Sequence, residues 1–287
     1  MREHKALSTS TETSAFPITL DFPEGKIVAE INLRPGPERL VVLAFKMLAI
    51  SSEVADMATR AAEKLGFEVS CNKGCGACCR QLVPLSPPEA AMIFEFVESM
   101  PEPQKSEVRI RFSVAIRHLK EICLLEKLER LQNPLMNNEE YDAITREYFL
   151  AQVPCPFLVN ECCSIHEVRP SMCREYLVNS PAENCKNPKS GRITRLPISL
   201  RLSEALARTW ASISKEHVQV VPLILALEWT KKNESARSTG ADSVQLLTTL
   251  LGHISDIAGK REQEVTRRSK DKTAVPAPSL DSHGNPG

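Results

Sequence analysis

The sequence predicts a mostly α-helical chain with a small N-terminal β-hairpin and irregular cysteine-rich loops between the helices. Three observations predict it. Apolar residues recur at helical spacing over most of 38–150 and again over 201–259. Strict apolar/polar alternation is confined to one stretch near the start. Nine of the ten cysteines fall in two stretches of weak periodicity, 71–79 and 155–185.

Residues 1–16 are rich in Ser and Thr and are expected to be disordered. ITLDF and KIVAEINL alternate about a Pro-Glu-Gly turn, which predicts a hairpin over 18–33. Arg34-Pro35-Gly36-Pro37 ends it. A helix follows over 38–65, with Gly66 as its C-terminal stop. Its apolar run LVVLAFKMLAI (40–50) is too short to span a bilayer and is interrupted by Lys46, so it is read as core. Ser86-Pro87-Pro88-Glu89 combines a capping box with proline at the first helical position, starting a helix that runs to about Met100. Helices are predicted at 104–131 and 138–150. The stretch 151–192 reads as loops with one short helix. ITRLPIS (193–199) reads as extended, and further helices fall at 201–215, 219–232 and 241–259. The basic, then Pro/Gly-rich tail 260–287 is expected to be disordered. This gives a hairpin and long helix over 17–69, a cysteine domain over 70–190, and C-terminal helices over 191–259 that pack on it.

Composition excludes several classes of function. The formal net charge is zero, so no global field draws the chain to nucleic acid or anionic lipid. Aromatics are 5% of residues, too few for a base-stacking platform. The first 35 residues show no apolar run with a small-residue cleavage site, so a cytosolic location is expected. Thiols stay reduced there, and clustered cysteines then point to metal binding or redox chemistry rather than disulfides.

Thiolates bind soft or borderline metals, usually four to a site. Cys71, Cys75, Cys78 and Cys79 lie in nine positions with Gly74 and Gly76 between them. Glycine lets a loop turn sharply and approach an anionic group closely. The second stretch adds Cys155, Cys162, Cys163, Cys173 and Cys185. If Cys162 and Cys163 count as one effective position, eight candidate ligands result. They suit two four-thiolate sites, or one cluster plus one zinc. Spacing does not say which thiols share a site. Adjacent thiols do not easily bind one ion, so Cys79 serves a second metal, bridges, or is spare. Arg80, Arg169 and Arg174 flank the thiols and would offset the charge of an anionic cluster. Cys123, in EICLLEKL, is expected to be a core residue of its helix. His166 and Tyr176 are expected to pack.

The pattern Cys71-x3-Cys75-x2-Cys78-Cys79, then Cys155-Pro156-Phe157-Leu158, then Cys163-Ser164-Ile165-His166-Glu167-Val168-Arg169-Pro170-x2-Cys173-Arg174-x-Tyr176 resembles the YkgJ-type cysteine-cluster family. The resemblance covers about 70–190. It implies a zinc- or iron-chelating domain whose ligands match Cys71, Cys75, Cys78, Cys79, Cys155, Cys163 and Cys173, with Cys185 as an eighth. Cys162 is an extra cysteine, and His166 stands where the family often has tyrosine.

Three functions compete. The first is a metal-binding module that acts in structure, metal handling or electron transfer. The second is an enzyme: some relatives of the domain are named flagellin lysine N-methylases, which implies methyl transfer with an iron–sulfur cluster and S-adenosylmethionine. The spacing Cys71-x3-Cys75-x2-Cys78 is that of radical S-adenosylmethionine proteins, but those enzymes are built from repeated strand–helix units, and helices surround this loop. The third is a zinc-stabilised domain whose outer helices bind a protein partner. The close cysteines, glycines and arginines, with Cys155-Pro156, lean toward an iron–sulfur cluster over zinc.

Overall fold

The computed structural model describes residues 13–273 except 73, 134 and 188, with side chains as far as residue 260. Of the segments expected to be disordered, 1–16 and 260–287, the parts 1–12 and 274–287 lie outside the described residues, whereas 14–16 belong to a strand and 260–273 to a helix. Helices make up about 54% of the described residues.

Strands β1 (Ser14–Phe22) and β2 (Gly25–Leu33) form one antiparallel hairpin, with Ser14 opposite Leu33 and Phe22 opposite Gly25. It starts at Ser14, four residues before the alternation in the sequence makes it visible. Ile18, Leu20, Ile27, Ile31 and Leu33 bury one face, as a period of two requires. Strand β3 (Pro37–Arg39) leads into α1 (Leu40–Lys64), the central helix. Leu40, Leu43, Met47 and Val54 of α1 pack under the hairpin. Val41 and Leu48, on its other side, join a second cluster. Burial on both sides explains the nearly unbroken apolar run, and Lys46 points to solvent.

After the first cysteine loop come β4 (Pro84–Leu85), α2 (Pro87–Ser99) and α3 (Gln104–Glu121), then α4 (Leu125–Arg130) and α5 (Asn138–Ala151). The single helix expected at 104–131 is therefore two. Cys123 takes a left-handed backbone (φ 58°). Its N–H bonds Lys120 O at 3.1 Å, and the Leu124 N–H bonds Leu119 O at 2.9 Å. That closes the helix end and sets Leu119 and Leu124 into the same buried cluster. Cys123 itself is exposed rather than in the core. Cys123→Ser is accordingly expected to change the unfolding free energy, measured by urea denaturation, by less than about 0.5 kcal/mol and to leave metal content unaltered.

The second cysteine region holds β5 (Leu158–Val159), β6 (Cys162–Cys163), α6 (Ser171–Arg174) and α7 (Ala182–Lys186). ITRLPIS is extended, but it contributes only one bridge, Arg195 to Val178. Then follow α8 (Leu202–Ser214), β7 (Val221–Pro222), α9 (Ala226–Lys232), α10 (Ser235–Ser238), β8 (Gly240–Asp242) and α11 (Ser243–Thr273). The helix expected from 219 starts only at Ala226, after a short 3-10 turn, because Pro222 disfavours helix at Val221. Val221–Pro222 instead pairs with Pro84–Leu85, and the Leu223 N–H bonds Val83 O at 2.9 Å. Helix α11 continues past 259, since KREQEVTRRSKDKT contains no Gly or Pro to stop it. The pairing of β3 with β8 ties the start of α1 to the start of α11. Among the described residues no helix is long and apolar enough to cross a membrane.

Candidate metal centre

Three backbone segments converge here. The first is the loop after α1. The Ser70 N–H bonds Val178 O at 3.0 Å, which sets Cys71 beside the Tyr176 carbonyl, with Sγ 3.8 Å from that oxygen. Gly74 (φ 87°) turns the chain where a side chain would be strained. Two tight turns follow, the Cys79 N–H bonding Gly76 O and the Gln81 N–H bonding Cys78 O, each at 3.0 Å.

The second segment is Cys155–Ser164. The Cys155 N–H donates to Cys79 O at 2.7 Å and joins the two cysteine stretches directly. Phe157 is buried edge-on to Phe112, with ring centroids 5.4 Å apart, and Arg111 Nε holds Pro156 O at 2.7 Å. Asn160 and Glu161, both left-handed, turn β5 into β6. Alternation along β6 then separates the adjacent cysteines: Cys163 is half-buried and faces the site, while Cys162 is exposed. Gly76 lies so close beneath this hairpin that a Cβ there would stand 2.2 Å from Glu161 O. Its small size serves the packing of hairpin on loop.

The third segment is α6, which carries Cys173. Six thiols from these segments, Cys75, Cys78, Cys79, Cys155, Cys163 and Cys173, line one void of about 40 Å3 together with Arg169. Cys71 and Cys185 are not part of its wall. Cys185 feels the charges of Cys78, Cys71 and Cys75, and its carbonyl accepts from Gln81 Nε2 at 3.0 Å. Among the described residues no three His, Cys, Asp or Glu side chains converge to the spacing that grips a single ion. The thiols surround a space instead. One water needs roughly 10–15 Å3 of such volume, so the void holds more than one atom.

Electrostatics agree with this grouping. Burial pushes the Cys155 and Cys185 thiols up to about 12, and raises Cys71, Cys163 and, most strongly, Cys173. A hydrogen bond from Cys79 draws Cys78 down to about 7, and donating that bond raises Cys79. Cys79 and Cys173 are also raised by neighbouring sulfurs, Cys155 among them. Cys185 is raised by Cys78, Cys71 and Cys75. Cys78 lies within electrostatic reach of Cys155 and Cys173 as well as of Cys71 and Cys185. A cation would relieve a pocket that disfavours most of its thiolates.

The three flanking arginines do different things. Arg169 lines the void and its charge lowers the thiols of Cys71, Cys78, Cys163 and Cys173. Its Nε is buried and has no hydrogen-bond partner among the described residues. Such a donor fits an anionic cluster or a bound thiolate. Arg80 grips Glu161 through both nitrogens, at 2.6 and 3.1 Å, and clamps the hairpin over the first loop. Arg174 is buried and spends its donors on Arg169 O (2.9 Å), Glu167 O (2.6 Å) and the Ser52 hydroxyl of α1. It braces the loop rather than facing the void.

Two supports escape sequence reading. Glu89 marks a helix start, but its fully buried carboxylate also organises the site. Oε2 accepts from the Ser86 N–H (3.0 Å), the Ser86 hydroxyl (2.7 Å) and the Ser203 hydroxyl (2.6 Å). Oε1 accepts from the Ser171 N–H (3.0 Å) and hydroxyl. The first turns of α2, α6 and α8 thus meet on one anion, which their dipoles favour, and Cys173 is placed by it. Glu175 in turn caps α8, accepting from the Leu202 N–H at 2.9 Å. The second support is Tyr176. It does more than pack: its hydroxyl donates to Gln81 Oε1 at 2.6 Å, and Arg195 lies over its ring at 4.6 Å. His166 occupies the 3-10 turn His166–Val168 and does not line the void.

Residues 70–191 match the family model CxxCxxCC, described as "Putative zinc- or iron-chelating domain". No curated protein matches the chain, and no solved structure matches it.

Proposed function

We propose that the protein holds metal as two four-thiolate sets that divide the Cys78–Cys79 pair between them, a reading supported by the match of residues 70–191 to the zinc- or iron-chelating family model. One set is Cys79, Cys155, Cys163 and Cys173, drawn from all three converging segments. The other is Cys71, Cys75, Cys78 and Cys185. The family supports metal binding by these cysteines. The partition rests on Cys71 and Cys185 standing outside the wall of the void and on Cys185 feeling the charges of Cys78, Cys71 and Cys75, while Cys75 and Cys78 border the void from the side of the second set.

The observation that carries the reading is the void itself: six thiols around a space wider than one atom, with the orphaned Arg169 Nε beside them. That favours an iron–sulfur cluster over a lone zinc ion in the first set. Such a cluster supplies one-electron transfer when bound. The chain's own residues then do the holding: four thiolates bind, Arg169 offsets charge, and Phe157, Ile165 and Leu223 keep water out. Four protein thiols per set leave no open position, which favours electron transfer, metal handling or structure over catalysis. Nothing in the fold adds to a methylase reading, since every ladder among the described residues is antiparallel and two-stranded.

Protein purified without oxygen is expected to contain iron and acid-labile sulfide and to absorb broadly in the visible. Zinc alone, without colour or sulfide, would retain the ligand sets and overturn the cluster.

A further inference from the structure

A second, larger cavity adjoins the thiols. It holds about 500 Å3, within the range of small-molecule sites. Cys78 and Cys173 form part of its wall and of the wall of the thiol void, so the two spaces lie back to back. Its other walls come from α5, from the end of the first cysteine loop and from the extended 193–201 segment.

The lining has two characters. Leu82, Val83, Pro84, Phe149, Met172 and Ile193 make an apolar body. Arg146, Arg195 and Arg201 supply three guanidinium groups against the one carboxylate of Asp142. Guanidinium forks match the two oxygens of a carboxylate or phosphate. The metal reading uses none of the three. Arg195 is held over the Tyr176 ring, Tyr176 is bonded to Gln81, and Gln81 is bonded to the Cys185 carbonyl. The cavity wall and the metal loops are therefore one hydrogen-bonded unit.

We infer that this cavity is a binding site for a small oxyanion carried on an apolar or aromatic body, seated against Cys78 and Cys173 with its charge toward Arg146 and Arg195. The inference rests on the metal reading only for the nature of its deepest wall. The apolar residues take the body of the ligand, and the arginines select for the anion.

Calorimetric titration of the purified full chain with phenylphosphate, benzoate and the neutral benzyl alcohol tests it. At least one of the two anions is expected to bind at least tenfold more tightly than benzyl alcohol, and their order separates a phosphate site from a carboxylate site. Arg146→Gln, on the exposed rim, and Arg195→Gln are each expected to weaken the anion about tenfold while metal content stays at the wild-type level. Equal binding of the neutral probe, no binding of either anion, or unchanged affinity in both variants overturns the site. Arginine-dependent anion binding by a chain that purifies without metal would defeat the metal reading and leave this one standing. Metal retained without anion binding would do the reverse.

Discussion

Glu89→Ala is expected to destabilise the protein by roughly 3–5 kcal/mol, because buried N–H groups left unpaired cost about 1–3 kcal/mol each. Two such groups, on Ser86 and Ser171, lose their acceptor, and three nearby donors on Ser86, Ser171 and Ser203 lose theirs. The side chain is fully buried, so water does not readily replace the carboxylate. A loss of this size is a large share of a typical domain's stability of about 5–15 kcal/mol. Glu89→Gln keeps the volume and one acceptor oxygen but turns an amide NH2 toward donors, so an intermediate loss is expected. Urea denaturation checks both. The effect also reaches the metal: Ser171 opens the short helix that carries Cys173, so metal content should fall in Glu89→Ala before the fold is lost. A change below about 1 kcal/mol in Glu89→Ala would show that the three helix starts are held by other contacts.

Gly76→Ala is the second large effect. The added methyl would stand 2.2 Å from Glu161 O, 2.6 Å from a Leu158 methyl and 2.8 Å from the Glu161 carbonyl carbon. The nearest of these atoms is backbone, at a turn clamped by Arg80, so it cannot rotate away. Overpacking costs about 1–3 kcal/mol in general. Here the relief available is to lift the 158–163 hairpin, and Cys163 moves with it. The expected result is a folded protein with reduced metal content, measurable by elemental analysis. Wild-type metal in Gly76→Ala would show that the hairpin position does not matter to the site. Gly252 is the control, since a Cβ there meets nothing within 4 Å.

Much of this was legible in the sequence for identifiable reasons. The hairpin, the buried helix at 40–64 and the Ser86–Glu89 helix start show periodicity or capping residues, which are local signals. The cysteine positions carried the metal reading because thiol inventory is chemical and needs no fold. The partition of those thiols was not legible. The proposed division follows from which thiols line the void, and the bond from the Cys155 N–H to Cys79 O that joins the two stretches spans 76 positions of sequence. The break at Cys123 is not legible because both halves share an apolar stripe, and only the short turn 122–124, with Cys123 left-handed at its centre, separates them. Glu89 reads locally as a capping residue, and nothing in the sequence says that Ser171 and Ser203 arrive at the same carboxylate. Arg80 and Arg174 flank the thiols in sequence, yet their donors go to Glu161 and to backbone carbonyls; Arg169 alone of the three lines the void.

Metal counting in single variants distinguishes two separate four-cysteine sets from one shared site. Wild-type protein and Cys79→Ser, Cys155→Ser, Cys71→Ser and Cys185→Ser, all purified without oxygen, would be analysed for metal and sulfide per folded chain. Cys79→Ser and Cys155→Ser are expected to lose the same part of the wild-type content, and Cys71→Ser and Cys185→Ser the other part. Equal loss of everything in all four folded variants would mean one shared site and contradict the division. Full metal in any one of them would remove that cysteine from the ligand set.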